Sequence, residues 1–215
     1  MTTTTVPGVA ARRAPHRGPS SPALAGLGAL ASFVGAAMVF GDPMAGSVDP
    51  AGAADALAGS SATGAAVLMG LYALLSVAVI GALASRLGTT GNGPAVRLLP
   101  VLGTAHVLLL AAAFAAPAAA VSVGTQVFDD GGVTPTATES ALVLMNVAHP
   151  MAAWFGAGFL LAVVLAARAA GVSRVLVVLS GVFAIGLLLP PVGWAVTYLM
   201  AAWFAGVGIW LWLRG

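Results

Sequence analysis

The chain reads as an all-α polytopic integral membrane protein, a bundle of about six transmembrane helices with both termini cytoplasmic. Three observations predict this. The hydrophobic fraction is 60% and only 7% of residues are charged, whereas a soluble domain is about a quarter charged. Six apolar stretches are each close to the ~20 residues that cross ~30 Å of hydrocarbon. The arginines and the carboxylates fall on opposite sides of those six spans.

Residues 1–21 are rich in Thr, Pro and Arg. They read as a disordered cytoplasmic tail, too polar to bury a core. Residues 22–215 read as one transmembrane domain. Its apolar runs cover residues 22–41, 64–85, 98–122, 140–167, 173–189 and 192–213. The first run is longer than a signal-peptide core, and no small-x-small cleavage site follows it directly, so it reads as a retained span. The first outer loop contains Asp49-Pro50 and then an Ala-rich segment, which suggests a short interfacial helix. The second, with Asp129-Asp130-Gly131-Gly132, reads as a solvated turn; two carboxylates without an EF-hand register do not make a calcium site. The fifth run is the shortest. Pro190-Pro191 should stop it, and the tight turn Pro191–Gly193 should fold spans five and six into an antiparallel hairpin.

Arg12, Arg13, Arg17, Arg86, Arg97, Arg168, Arg174 and Arg214 share one side of a six-span topology. Asp42, Asp49, Asp55, Asp129, Asp130 and Glu139 share the other. The positive-inside rule makes the basic side cytoplasmic. The absence of lysine, with many Ala, Gly and Pro residues, suggests the cell (plasma) membrane of a bacterium with a GC-rich genome. The chain has no cysteine, which excludes disulfides, thiolate metal sites and cysteine nucleophiles. There is no basic stripe with interleaved aromatics, so no nucleic-acid partner is expected. The expected partners are the lipid bilayer and, beyond it, another membrane protein or a second copy of the chain.

No carboxylate or arginine lies in the middle of a span, which weighs against a proton- or ion-coupled pump. Two histidines are embedded, His106 and His149. Counted from Arg97 and Arg168, they differ in depth by ten residues, roughly 15 Å along the normal. Two axial ligands of one haem need similar depths, so a shared haem is not expected; Met69, Met145, Met151 and Met200 are the other conceivable axial ligands. No cofactor is predicted, and haem is an alternative only.

Two polar clusters emerge instead. The inner one groups His106 with Ser76 and Ser180. The outer one groups Asn146 and His149, one turn apart, with Thr197 and Tyr198. Pro150 cannot donate to the Asn146 carbonyl, so span four should bend or unwind there, with Asn146 facing other helices. Freed backbone groups at such a break are one way transporters build binding sites.

Met151-Ala-Ala-Trp154-Phe155 recurs as Met200-Ala-Ala-Trp203-Phe204, a faint internal echo. Pairs of small residues four apart, Gly28/Ser32, Ala31/Gly35, Ala152/Gly156 and Gly158/Ala162, suit close helix packing in lipid. Trp194, Trp210 and Trp212 fit interfacial belts, and Trp154 and Trp203 are expected inside the bundle.

The leading functional expectation is a non-catalytic accessory, assembly or sensory membrane protein. The alternatives are a small-solute transporter with its site at Pro150, or a haem-binding redox protein.

Overall fold

The computed structural model describes residues 20–41, 49–89, 93–124 and 132–214. The expected disordered tail, apart from its last two residues, and the Asp129-Asp130 turn lie outside them. Seven helices make up the described chain: α1 (Ser21–Phe40), α2 (Pro50–Ala58), α3 (Ala62–Gly88), α4 (Pro94–Ser122), α5 (Pro135–Ala169), α6 (Arg174–Leu188) and α7 (Pro190–Arg214). Five of them are long and apolar enough to cross a membrane, and α6 is shorter. Its 15 residues reach about 22 Å at ~1.5 Å per residue. The protein is a membrane-embedded helical bundle.

Local chemistry sets the helix boundaries. Pro50, Pro94 and Pro135 occupy first turns, where the missing N–H costs nothing. Asp49 caps α2 by accepting from Gly52 N at 2.7 Å, and Thr134 caps α5 by accepting from Ala137 N at 3.2 Å. The short helix expected in the first outer loop is therefore present. α6 stops before Pro190-Pro191 as expected, but the turn expected at Pro191–Gly193 is replaced by helix. The pair opens α7, and the link from α6 is Leu189 alone, held extended (ψ 108°) as the residue before a proline must be.

Consecutive spans pack antiparallel. Between α1 and α3, Gly35 faces Leu68 and Gly28 faces Leu75. Between α4 and α5, Gly103 faces Phe159 and Gly158 faces Leu102. On the hairpin, Gly186 meets Val196 and Trp203 Nε1 reaches Ser180 Oγ at 3.3 Å, so α6 and α7 run in opposite directions as expected. Finally α7 returns to α1 and closes the ring. A Cβ on Gly26 would lie 2.7 Å from the Phe204 carbonyl oxygen, and Gly208 sits directly on the Pro22 carbonyl. These two glycines let the α1 and α7 backbones touch, the role that small residues play where lipid supplies no hydrophobic drive.

Large apolar side chains cover the outside of the ring, among them Leu24, Met38, Leu74, Leu165, Val178 and Ile185. Among the described residues, charge divides between the two ends. Arg86 donates to the Arg214 carbonyl at 3.0 Å, tying the ends of α3 and α7. Arg97 lies in the first turns of α4, and Arg168 and Arg174 flank the α5–α6 turn at that same end. At the opposite end α2, with Asp55, lays Leu57 against Ala62, Ala116, Val133 and Ala141, and Glu139 is nearby at the start of α5.

Candidate functional site: a cavity at the acidic end beside a buried polar core

The α6–α7 turn lies near the acidic end of the bundle. A cavity of about 610 Å³ opens there, lined from α1, α4, α5, α6 and α7. Asn146, His149 and Pro150 form its α5 wall, and Trp194 and Tyr198 form its α7 wall. Phe40 and Phe114 close the back, and Leu187 and Leu188 close the side toward α6.

Three of the four residues of the expected outer cluster thus share one cavity. Thr197 does not join them: it is fully buried, and its hydroxyl donates to the Gly193 carbonyl of its own helix at 2.8 Å. Asn146 also differs from expectation. It is exposed rather than turned toward other helices, and its Nδ2 donates to the Leu142 carbonyl at 2.9 Å, one turn back on α5, and not to a partner on α7. The reason is reach, because the i−4 carbonyl is the nearest acceptor on the same face. The helix continues unbroken through Pro150, so no local unwinding accompanies the proline.

His149 is held by aromatic packing. Its ring stacks on Trp194 with centroids 6.4 Å apart and an interplanar angle of 21°, and it lies 5.7 Å from the Tyr198 ring. Trp194 and Tyr198 meet edge-on at 4.9 Å. His149 Nε2 is buried without a hydrogen-bond partner.

Beside the cavity lies the inner polar core. His106 is fully buried, and its Nδ1 lies 2.8 Å from the Ala152 carbonyl on α5. A carbonyl only accepts, so Nδ1 carries the proton and donates, while Nε2 is left buried in the core. Gly156 makes the seat, since a Cβ there would come within 2.7 Å of His106 Nδ1. The Ala152/Gly156 pair, expected to serve helix packing alone, therefore receives a histidine.

Ser76 is fully buried on the neighbouring helix, and the contact of Gly103 with Ile80 sets it level with His106. Ser180 is separate, because its hydroxyl accepts from Trp203 on the α6–α7 seam. The member that the sequence reading missed is Tyr72, one turn from Ser76 and facing it. Tyr72 Oη and Ser76 Oγ approach each other without reaching full hydrogen-bond geometry, and His106 Nε2 is buried without a partner. The signal for Tyr72 was its i, i+4 spacing to Ser76 on a span.

The depth difference between the histidines is also smaller than expected. Contacts of Gly103 with Phe159 and of Gly158 with Leu102 set His106 opposite residues 152–156, only three to seven residues beyond His149. The count from the arginines assumed that Arg97 and Arg168 are level. The helix register instead sets Arg97 near Val163, because α5 runs about five residues further before it turns. Among the described residues, no three His, Asp or Glu side chains converge on a possible metal position.

Trp203 is buried as expected, but Trp154 is 68% exposed and stands on the outer wall of the cavity. The two Met-Ala-Ala-Trp-Phe segments are therefore used oppositely. Met200 and Trp203 point inward, while Met151 and Trp154 point outward. No family model, curated protein or solved structure matches the chain.

Proposed function

We propose that the protein is a multi-pass protein of the cell membrane that binds a small molecule in the cavity on its outer side, and that it serves a sensory or accessory role. The observation that carries this reading is the cavity. At about 610 Å³ it falls in the usual range of ligand pockets, and its apolar walls with a few placed polar groups have the usual composition. Its position follows from the charge sorting, because the end carrying Arg86, Arg97, Arg168, Arg174 and Arg214 is the cytoplasmic one under the positive-inside rule. The adjacent packing favours binding over passage. Tyr72, His106, Phe159 and Phe204 are fully buried and pack ring to ring across the core beside the cavity.

Native-state mass spectrometry of protein extracted in mild detergent tests the reading. A retained small molecule is expected. Ala153→Phe, which fills the cavity from its α5 wall, should abolish retention in the fraction that folds. Equal retention by both proteins would refute a site in this cavity.

One observation favours a second reading, that of a small-solute transporter. The buried Tyr72, Ser76 and His106 polar atoms lie beyond the cavity toward the basic end and mark a polar line through the core. Solute uptake into proteoliposomes, lost in His106→Leu, would select this reading over pure binding.

A further inference from the structure

The chemistry of the cavity wall narrows what it takes, and this inference rests on the ligand-binding reading above. Among the described residues, no side chain lining the cavity carries a formal charge. An ionised group would lose its hydration there without a counter-charge, which is costly. Such a wall suits a neutral ligand.

The mouth faces lipid. Trp154, Leu188 and Trp194 line the cavity and are each more than half exposed. Trp154 continues a stripe with Val147 and Leu161, seven residues to either side and also exposed. Leu188 continues one with Ile185. Both stripes belong to the lipid-facing wall of the bundle, so the route in runs from the bilayer.

Asn146 supplies the polar contact. Its orientation is fixed, since only the amide nitrogen can donate to the Leu142 carbonyl. Oδ1 is left as an acceptor on the cavity wall. The matching ligand group is a donor, and a hydroxyl is the simplest neutral donor that dissolves in lipid.

We infer that the cavity takes an uncharged, lipid-soluble alcohol that enters sideways from the bilayer, donates its hydroxyl proton to Asn146 Oδ1 and lays its chain against Trp154 and Leu188.

The test uses quenching of tryptophan fluorescence by bromine in protein reconstituted into nanodiscs. The probes are ω-bromoundecanol, bromoundecane (no hydroxyl) and ω-bromoundecanoate (charged). Replacing Trp210 and Trp212 with Phe removes the reporters at the other end. The alcohol should quench saturably, at about tenfold lower mole fraction than either comparator, the worth of one hydrogen bond in an apolar site. In Asn146→Leu its curve should fall onto that of bromoundecane. The comparison of probes in the protein with Asn146 intact does not depend on that variant folding. Saturable quenching of equal strength by alcohol and alkane would overturn the inference and leave the cavity as a binding site. Tightest binding of the carboxylate would overturn its neutrality. No saturation by any probe, with ligand also absent in native mass spectrometry, would overturn the binding reading itself.

Discussion

His106 on α4 and Ala152 on α5 are joined by a 2.8 Å hydrogen bond from the imidazole to a backbone carbonyl, and the bond exists because residue 156 is glycine. A helical carbonyl already accepts from the N–H four residues on, so His106 uses its second lone pair. The bond fixes the rotation of α4 against α5 and directs Nε2 into the core.

Gly156→Ala should therefore displace His106. The new methyl group meets Nδ1 within 2.7 Å, and overpacking of this kind costs about 1–3 kcal/mol. Thermal unfolding in detergent should show a lowered midpoint. In His106→Ala the same substitution should cost much less, because the obstruction is gone. Equal losses in both backgrounds would show that Gly156 acts without His106.

Gly26→Ala should be worse tolerated than its chemistry suggests. Its Cβ meets the Phe204 carbonyl oxygen and the Ala205 Cα, backbone atoms that cannot move aside alone. Separation of α1 from α7 should appear as a lower unfolding midpoint and a lower folded yield. Gly206→Ala is the control, since open space surrounds that position. It should be neutral or stabilising by up to about 1 kcal/mol from helix propensity.

Tyr72→Phe and Ser76→Ala each remove one hydroxyl of a buried pair that approaches without reaching full hydrogen-bond geometry. Relieving an unsatisfied buried polar group stabilises, so each should leave the unfolding midpoint unchanged or raise it by the equivalent of about 1 kcal/mol. A clear loss of stability in either would mean that the hydroxyl is satisfied in the native membrane.

Asn146→Leu separates structure from ligand. The Asn146 side chain bonds only its own helix at an exposed position, so its loss should shift stability by no more than about 0.5 kcal/mol. Ligand retention should fall sharply. A large destabilisation would make Asn146 a structural residue.

Much of this architecture was legible in the sequence because lipid imposes it. A backbone crossing hydrocarbon must satisfy its own polar groups, so apolar runs of sufficient length become helices. The sorting of Arg from Asp and Glu then counts the crossings. The gathering of Asn146, His149 and Tyr198 was legible too, from one-turn spacing on α5 and similar depth on α7. Other features depend on the register between helices, which no single span reveals. The Arg97 and Arg168 levels differ because α5 overruns α4, and this exaggerated the separation of His106 from His149. Trp154 and Trp203 occupy identical local sequences, yet one faces lipid and the other packs edge-on against Phe159. The closing seam of α1 on α7 rests on Gly26 and Gly208, which stand at opposite ends of the chain and have no local signature. Pro190-Pro191 both stopped α6 and opened α7, because a proline that cannot continue one helix fits the first turn of the next.

The account depends most on α6 crossing the membrane, since that crossing places the Leu188–Trp194 wall of the cavity on the outer side. The chain contains no cysteine, so an introduced one reports alone. Ser173→Cys and Pro191→Cys flank α6, and each can be labelled with an impermeant maleimide applied to intact cells or to inverted vesicles. Labelling of residue 191 in cells only, and of residue 173 in inverted vesicles only, is the predicted result. Labelling of both positions from the same side would make α6 a re-entrant segment and contradict the six-span bundle with its outward-facing cavity.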